Sequence, residues 1–128
     1  MKHYLWNMFS AIKNAQKAKK SFFYYPQQKS CAFILNILWQ EGFILGYKIS
    51  KKNDRMFEIF LKYKKNEPVI NRLYSLTKPR QRMYYSSKQL WKINFNTGLC
   101  ILSTNKGIMS IKECIKKKIG GELLVIIK

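Results

Sequence analysis

Ser103-Thr104-Asn105-Lys106-Gly107-Ile108-Met109, followed by Lys117-Lys118-Ile119-Gly120-Gly121-Glu122, is the stretch on which the fold turns. Before it, Leu99-Cys100-Ile101-Leu102 reads as a short apolar strand bounded by Gly98, and after it Leu123-Leu124-Val125-Ile126-Ile127 reads as a wholly apolar one. Ser110 to Lys118 has the pattern of a short helix. The Ser110-x-x-Glu113 spacing is that of a capping box, in which hydroxyl and carboxylate satisfy unpaired amides at a helix start. The order is strand, loop, capped helix, strand, with the loop at an open edge. Its hydroxyls and amide both donate and accept hydrogen bonds, Lys106 adds charge, and Gly107 permits close backbone approach. That chemistry suits base edges, ribose hydroxyls and phosphates.

Upstream, Leu5, Met8, Phe9, Ile12 and Ala15 follow helical spacing from Leu5 to Lys20, with Lys13, Lys17 and Lys20 along another face. Taken alone, this basic amphipathic helix also fits a mitochondrial targeting or membrane-surface segment. Such targeting segments favour arginine, however, and the first arginine here is Arg55. Phe22 to Tyr25 reads as a strand closed by Pro26, and residues 28–41 as a helix burying Ile34, Leu35, Leu38 and Trp39. Gly42 stands where a helix end requires positive φ. Phe43 to Ile49 and Met56 to Tyr63 read as a hairpin joined by Lys51-Lys52-Asn53-Asp54. Lys64-Lys65-Asn66-Glu67-Pro68 is the expected joint between lobes. Beyond it, Val69 to Leu76 and Arg82 to Tyr85 read as strands separated by Thr77-Lys78-Pro79-Arg80, and Ser87 to Ile93 as a short helix or turn. The expectation is an α+β fold of two small lobes: an α-β-α-β-β lobe over residues 1–66 and a β-rich lobe with a short capped helix over 67–128.

With 47% apolar residues in 128, the chain has material for a core. Lysine and arginine total 25 against 6 carboxylates, a net charge of +19 that calls for an anionic partner. The excess is even, net +10 over residues 1–65 and net +9 over 66–128, so no single basic tail carries it. Aromatics interleave with lysine at Phe22-Phe23-Tyr24-Tyr25 and Lys62-Tyr63-Lys64-Lys65, where stacking on bases and core packing are both open readings. Cys31, Cys100 and Cys114 form no C-x-x-C pair and are odd in number, which argues against a disulfide framework and a zinc site. Ala32 to Trp39, the longest apolar run, is far shorter than the ~20 residues that cross a bilayer.

Ile12-Lys13-Asn14, Gln40-Glu41-Gly42-Phe43-Ile44 and above all the Ser103–Met109 and Lys117–Glu122 motifs resemble protein eight of the small ribosomal subunit, in its bacterial and organellar form. The resemblance runs in order from about Leu5 to Ile127. It implies a two-domain, non-catalytic protein that binds the central domain of small-subunit rRNA, without cofactor or metal, near small-subunit proteins five and twelve. It carries RNA contacts onto Ser103, Thr104, Asn105, Lys106 and Gly107, with Tyr84 and Glu122 beside them, and onto Lys13, Asn14 and Lys29 in the first lobe. For Tyr84, core packing is the alternative; for Glu122, a local lysine or backbone partner; for Lys116 to Lys118, a solvated helix end. The chain departs from the family pattern at Asn105, usually serine; at Arg80, usually glycine after the proline; at Ile111, usually aspartate; and at His3 and Asn7, usually acidic.

An RNA-processing enzyme is the alternative from another class, but six carboxylates stand singly, His3 is the one histidine, and no cysteine has a base beside it in sequence. A basic DNA-binding or membrane-surface protein would share the charge without using the 103–109 motif. Lysine outnumbers arginine 21 to 4 and isoleucine, asparagine, phenylalanine and tyrosine are abundant, as an AT-rich coding genome would give. With the resemblance, and with no extension before the first helix, the expectation is a mitochondrion, a plastid or bacterial cytoplasm being the alternatives.

Overall fold

A computed structural model of the chain describes residues 2–52, 55–75, 84–92 and 98–127. The fold is α+β and divides into two units, Met1–Val69 and Ile70–Lys128.

In the first unit, α1 (Lys2–Lys17) buries Leu5, Met8, Phe9, Ile12 and Ala15 on one face, as their spacing dictates. It ends at Lys17 rather than Lys20 because Lys19 turns left-handed at φ 55, letting the Lys19 and Lys20 amides close back on the Gln16 and Ala15 carbonyls. After β1 (Phe22–Pro26), α2 (Lys29–Gln40) buries Cys31, Ile34, Leu35 and Leu38. Trp39 was expected on that stripe, yet it is 54% exposed, one position past the buried arc. Gly42, at φ 81, terminates α2 in a Schellman motif: its amide reaches Trp39 O at 3.1 Å and the Phe43 amide reaches Leu38 O at 2.8 Å.

β2 (Ile44–Ile49) and β3 (Met56–Leu61) complete an antiparallel sheet of order β1-β3-β2. Asn53 and Asp54, in the expected turn between them, lie outside the described residues. The helices cover one face of the sheet. Tyr25, on β1, donates its hydroxyl proton to Tyr4 O of α1 at 2.7 Å, and Tyr47, on β2, donates to Asn36 Oδ1 of α2 at 2.6 Å. Lys64 to Pro68, expected as a joint, is instead part of a two-stranded hairpin of β4 (Tyr63–Lys64) and β5 (Glu67–Pro68). Lys65 and Asn66 both take positive φ there, the requirement of a type I′ turn.

The second unit comprises β6 (Leu73–Ser75), β7 (Tyr84–Tyr85), α3 (Ser87–Lys92), β8 (Leu99–Thr104), β9 (Gly107–Ser110), α4 (Ile111–Lys117) and β10 (Gly121–Ile127). β10 is the central strand, paired with β8 on one side and with β6 and β7 on the other, and β9 extends the sheet beyond β8. Of the expected strands over 69–76 and 82–85, the first begins only at Leu73 in β6 and the second includes β7, while residues 76, 82 and 83 lie outside the described residues. Thr77-Lys78-Pro79-Arg80, with the departure at Arg80, lies outside the described residues. Leu90, Cys100, Leu102, Met109, Ile111, Cys114 and Leu123 form the core between sheet and helices. Ile111, where the resemblance implies an aspartate, is a core side chain here.

Two caps differ from the sequence reading. Ser110 is the N-cap residue of α4, but its side chain makes no capping bond. It ends β9, paired with Ile101 and buried, so sheet pairing fixes its geometry before the helix begins. The capping box is at α3 instead: the Ser86 amide donates to Gln89 Oε1 at 2.8 Å and the Gln89 amide to Ser86 Oγ at 3.3 Å. The Ser-x-x-Gln spacing of Ser86 and Gln89 was the available signal.

Candidate nucleic-acid interface

The Ser103–Met109 segment is not an open loop. It is a hairpin in which Thr104 faces Gly107, Ser103 faces Ile108, and Asn105 and Lys106 alone form the turn. Gly107, at φ 118, supplies the left-handed geometry that so tight a connection needs. Thr104 holds the turn closed. Its hydroxyl donates to Gly107 O at 2.7 Å and accepts the Lys106 amide at 3.2 Å. The threonine proton is therefore spent internally, and Asn105 and Lys106 are the side chains left exposed at the tip.

The sheet assembles a second group around that tip. Glu122 pairs with Tyr84 on one side and Ser103 on the other, and Ser103 pairs with Ile108. Residues opposite one another in antiparallel strands share a face, so Tyr84, Glu122, Ser103 and Ile108 form one row across β7, β10, β8 and β9. Tyr84 is 66% exposed, so it is not a core residue. The adjacent row turns inward, with Tyr85 packed against the core.

Gly120 and Gly121 set how closely this surface is drawn together. Neither has positive φ among the described residues, so volume is what they provide. A Cβ on Gly121 would stand 2.6 Å from Ser103 O and 2.8 Å from Thr104 Cγ2; one on Gly120 would stand 2.5 Å from Tyr85 O. The double glycine thus lets β10 press against the base of the hairpin and against the strand carrying Tyr84. By contrast, a Cβ on Gly107 would meet nothing within 4 Å, so the space over the turn is open.

Seven of the ten sequence-predicted residues are accordingly gathered in one unit: Tyr84, Ser103, Thr104, Asn105, Lys106, Gly107 and Glu122. The other three belong to the first unit, Lys13 and Asn14 exposed on successive positions of α1 and Lys29 exposed at the start of α2. α4 ends in three exposed lysines, Lys116 to Lys118. Lys118 is left-handed at φ 56, its amide reaching Ile115 O at 3.2 Å while the Ile119 amide reaches Cys114 O at 3.0 Å.

The electrostatics are one-sided. Cys31, Cys100 and Cys114 are buried thiols outside any disulfide. Burial pushes the Cys31 thiol up to about 11, and burial together with the Glu113 carboxylate pushes Cys114 up to about 11, so neither is a thiolate at neutral pH. No group of three or more metal-ligating side chains occurs among the described residues, and no described helix is long and apolar enough to cross a membrane.

Two small α+β units, each strongly basic in sequence and one carrying an exposed polar turn, define a polyanion-binding class of protein, and comparison with known proteins makes the class specific. The family described as Ribosomal protein S8 matches residues 4–127. The small ribosomal subunit protein uS8 of Hahella chejuensis is 36% identical over 124 residues, covering 97% of this chain and 95% of that protein. Those of Bartonella bacilliformis and Caulobacter vibrioides are 40% and 41% identical over 122 residues, each covering 94% of this chain and 92% of the relative. The chain belongs to the ribosomal protein S8 family, a family of structural small-subunit proteins in translation and not of enzymes.

Proposed function

We propose that this chain binds the central domain of small-subunit rRNA directly, with the turn at Asn105 and Lys106 and the row Tyr84–Glu122–Ser103 as its specific surface. The observation that carries the reading is the exposed turn, braced by Thr104 and backed by Gly121, which presents amide and ammonium groups in a fixed geometry. Backbone charge alone gives affinity without selectivity: neutralising ~6–10 phosphates would make binding fall by roughly 10³–10⁵ between 50 and 200 mM salt whatever the sequence. Register must come from a rigid polar surface matched to an irregular stem. Lys13, Asn14 and Lys29 supply a second contact from the first unit, and neighbouring small-subunit proteins, five and twelve, complete the surroundings.

The particle proposed is a mitochondrial small subunit. Supporting this are the lysine-to-arginine ratio of 21 to 4 and the abundance of asparagine, isoleucine and aromatics, the marks of an AT-rich coding sequence. Locating that sequence in a mitochondrial genome supports the assignment; a bacterial chromosome overturns it.

The RNA reading is tested by titrating the protein with a central-domain stem and a scrambled stem over a range of salt. Asn105→Ala removes a contact and Thr104→Ala loosens the turn; both should lower stem affinity more than scrambled-stem affinity. Neutralising Lys116 to Lys118 should weaken both equally. A wild-type protein that binds the two stems alike at every salt concentration would sink the proposal.

A further inference from the structure

The sequence Phe22-Phe23-Tyr24-Tyr25 is divided by the two-residue period of a strand. Phe23 and Tyr25 go into the core, while Phe22 and Tyr24 stand 38% and 43% exposed on the face that the helices leave open. Register adds to them. Phe60 lies opposite Phe22 and Gly46, and Glu58 lies opposite Tyr24 and Lys48, so these six share that face in two rows. The rings form one surface: Phe22 and Tyr24 meet edge to face at 5.6 Å, and Phe22 and Phe60 lie 6.0 Å apart. A Cβ on Gly46 would meet nothing within 4 Å, which leaves the floor beside Phe60 clear.

Charge on the two rows is balanced, and Lys20 at their border adds one positive charge. Lys48 Nζ sits 5.6 Å from the Phe60 ring centroid and 3.8 Å from Glu58 Oε2, so the carboxylate on these two rows is offset by an ammonium that remains half exposed. Phe22 and Tyr24 also border a groove of about 790 Å³ between α1 and β1, lined by Ala11, Ala15 and Ala18 together with Asn14, Lys20 and Ser21. Its volume falls within the ~300–1,000 Å³ typical of ligand clefts. An amide, an ammonium and a hydroxyl beside stacked rings are the groups that meet ribose, phosphate and base faces together. An apolar protein segment would use the rings and the alanines but would leave Asn14, Lys20 and Ser21 unmatched.

We infer that the open sheet face of the first unit is a stacking platform for unpaired rRNA nucleotides, with bases on Phe22 and Tyr24 and the backbone toward Lys20 and Asn14. This rests on the rRNA-binding reading above and adds a second mode, single-stranded and tolerant of sequence, to the stem contact.

The test uses the full chain, an unstructured twelve-nucleotide RNA containing 4-thiouridine, and the central-domain stem. Base–aromatic stacking is worth roughly 1–3 kcal/mol per base, so losing two stacked bases costs about thirtyfold or more in affinity. Phe22→Ala with Tyr24→Ala should weaken the single strand by about that factor and leave the stem unchanged. Phe22→Leu with Tyr24→Leu keeps apolar area without a ring and should behave like the alanine pair, while Tyr24→Phe should bind as wild type. Photocrosslinks should map to Ser21–Tyr25. Single-strand affinity unchanged in the alanine pair, wild-type binding by the leucine pair, or crosslinks elsewhere would each overturn the platform, the leucine result showing that apolar area and not ring stacking holds the strand. A wild type that fails to prefer the central-domain stem over a scrambled one in the same titration marks failure of the rRNA reading instead.

Discussion

Gly121→Ala should damage the hairpin without removing any polar group. The added Cβ would fall 2.6 Å from Ser103 O and 2.8 Å from Thr104 Cγ2, where ordinary contact begins at 3.4 Å. Relief requires the β8 backbone to retreat by about 0.8 Å, yet β8 is held by pairing to β10 on one side and β9 on the other. Overpacking of this kind costs ~1–3 kcal/mol, and the upper half applies because one clash is with backbone, which cannot rotate away. A loss of ~2 kcal/mol in a chain of this size lowers the thermal midpoint by roughly 5–10 °C. Because the displaced residues carry the turn, specific stem affinity should fall while the salt-dependent, scrambled-stem component stays near wild type. Thermal unfolding followed by circular dichroism and the two-stem titration measure both effects. A Gly121→Ala protein with wild-type midpoint and wild-type discrimination would refute the argument that the double glycine sets the spacing of β10 and β8.

Lys118→Gly should stabilise the chain by about 1 kcal/mol in urea unfolding, since a left-handed Lys118 at φ 56 bears a side-chain penalty that glycine lacks; a destabilised variant would mean that the lysine side chain contributes more than its backbone costs. Alkaline stability should be pH-sensitive through the buried thiols. Cys31 and Cys114 are raised from 9.0 to about 11, so their contribution is fully present below pH 9 and is lost as pH rises from 9 to 11, where the unfolded chain releases protons that the folded one retains. Tyr25 and Tyr47, raised by burial, act in the same direction. The Cys31→Ala, Cys114→Ala protein should show a shallower decline over that interval, and an identical decline would remove the thiols from the account.

Much of this protein is legible from local pattern. The face of α1, the Cys31–Leu38 stripe, the alternation of β1 and the glycine that ends α2 follow from helical and strand periods and from the freedom of glycine at positive φ. So does the charge, because net +19 is a property of composition that no fold can hide. The residues later gathered around the hairpin were also nameable in advance through the resemblance carried by Ser103 to Gly107 and Gly120-Gly121.

What the sequence could not say was which of these groups would be consumed by the fold. Thr104 looks like a free hydroxyl until strand pairing brings Gly107 O within 2.7 Å of it. Ser110 looks like a cap until pairing with Ile101 draws it into the sheet, and the working box belongs to Ser86 and Gln89. Tyr84, Glu122 and Ser103 are far apart along the chain and become one row only through the register of β7, β10 and β8. Phe22 and Phe60 likewise meet only across β1 and β3. Periodicity and composition are local and additive, so sequence alone determines them; register and backbone proximity are long-range, and the tertiary structure alone decides which polar and aromatic groups remain for a partner.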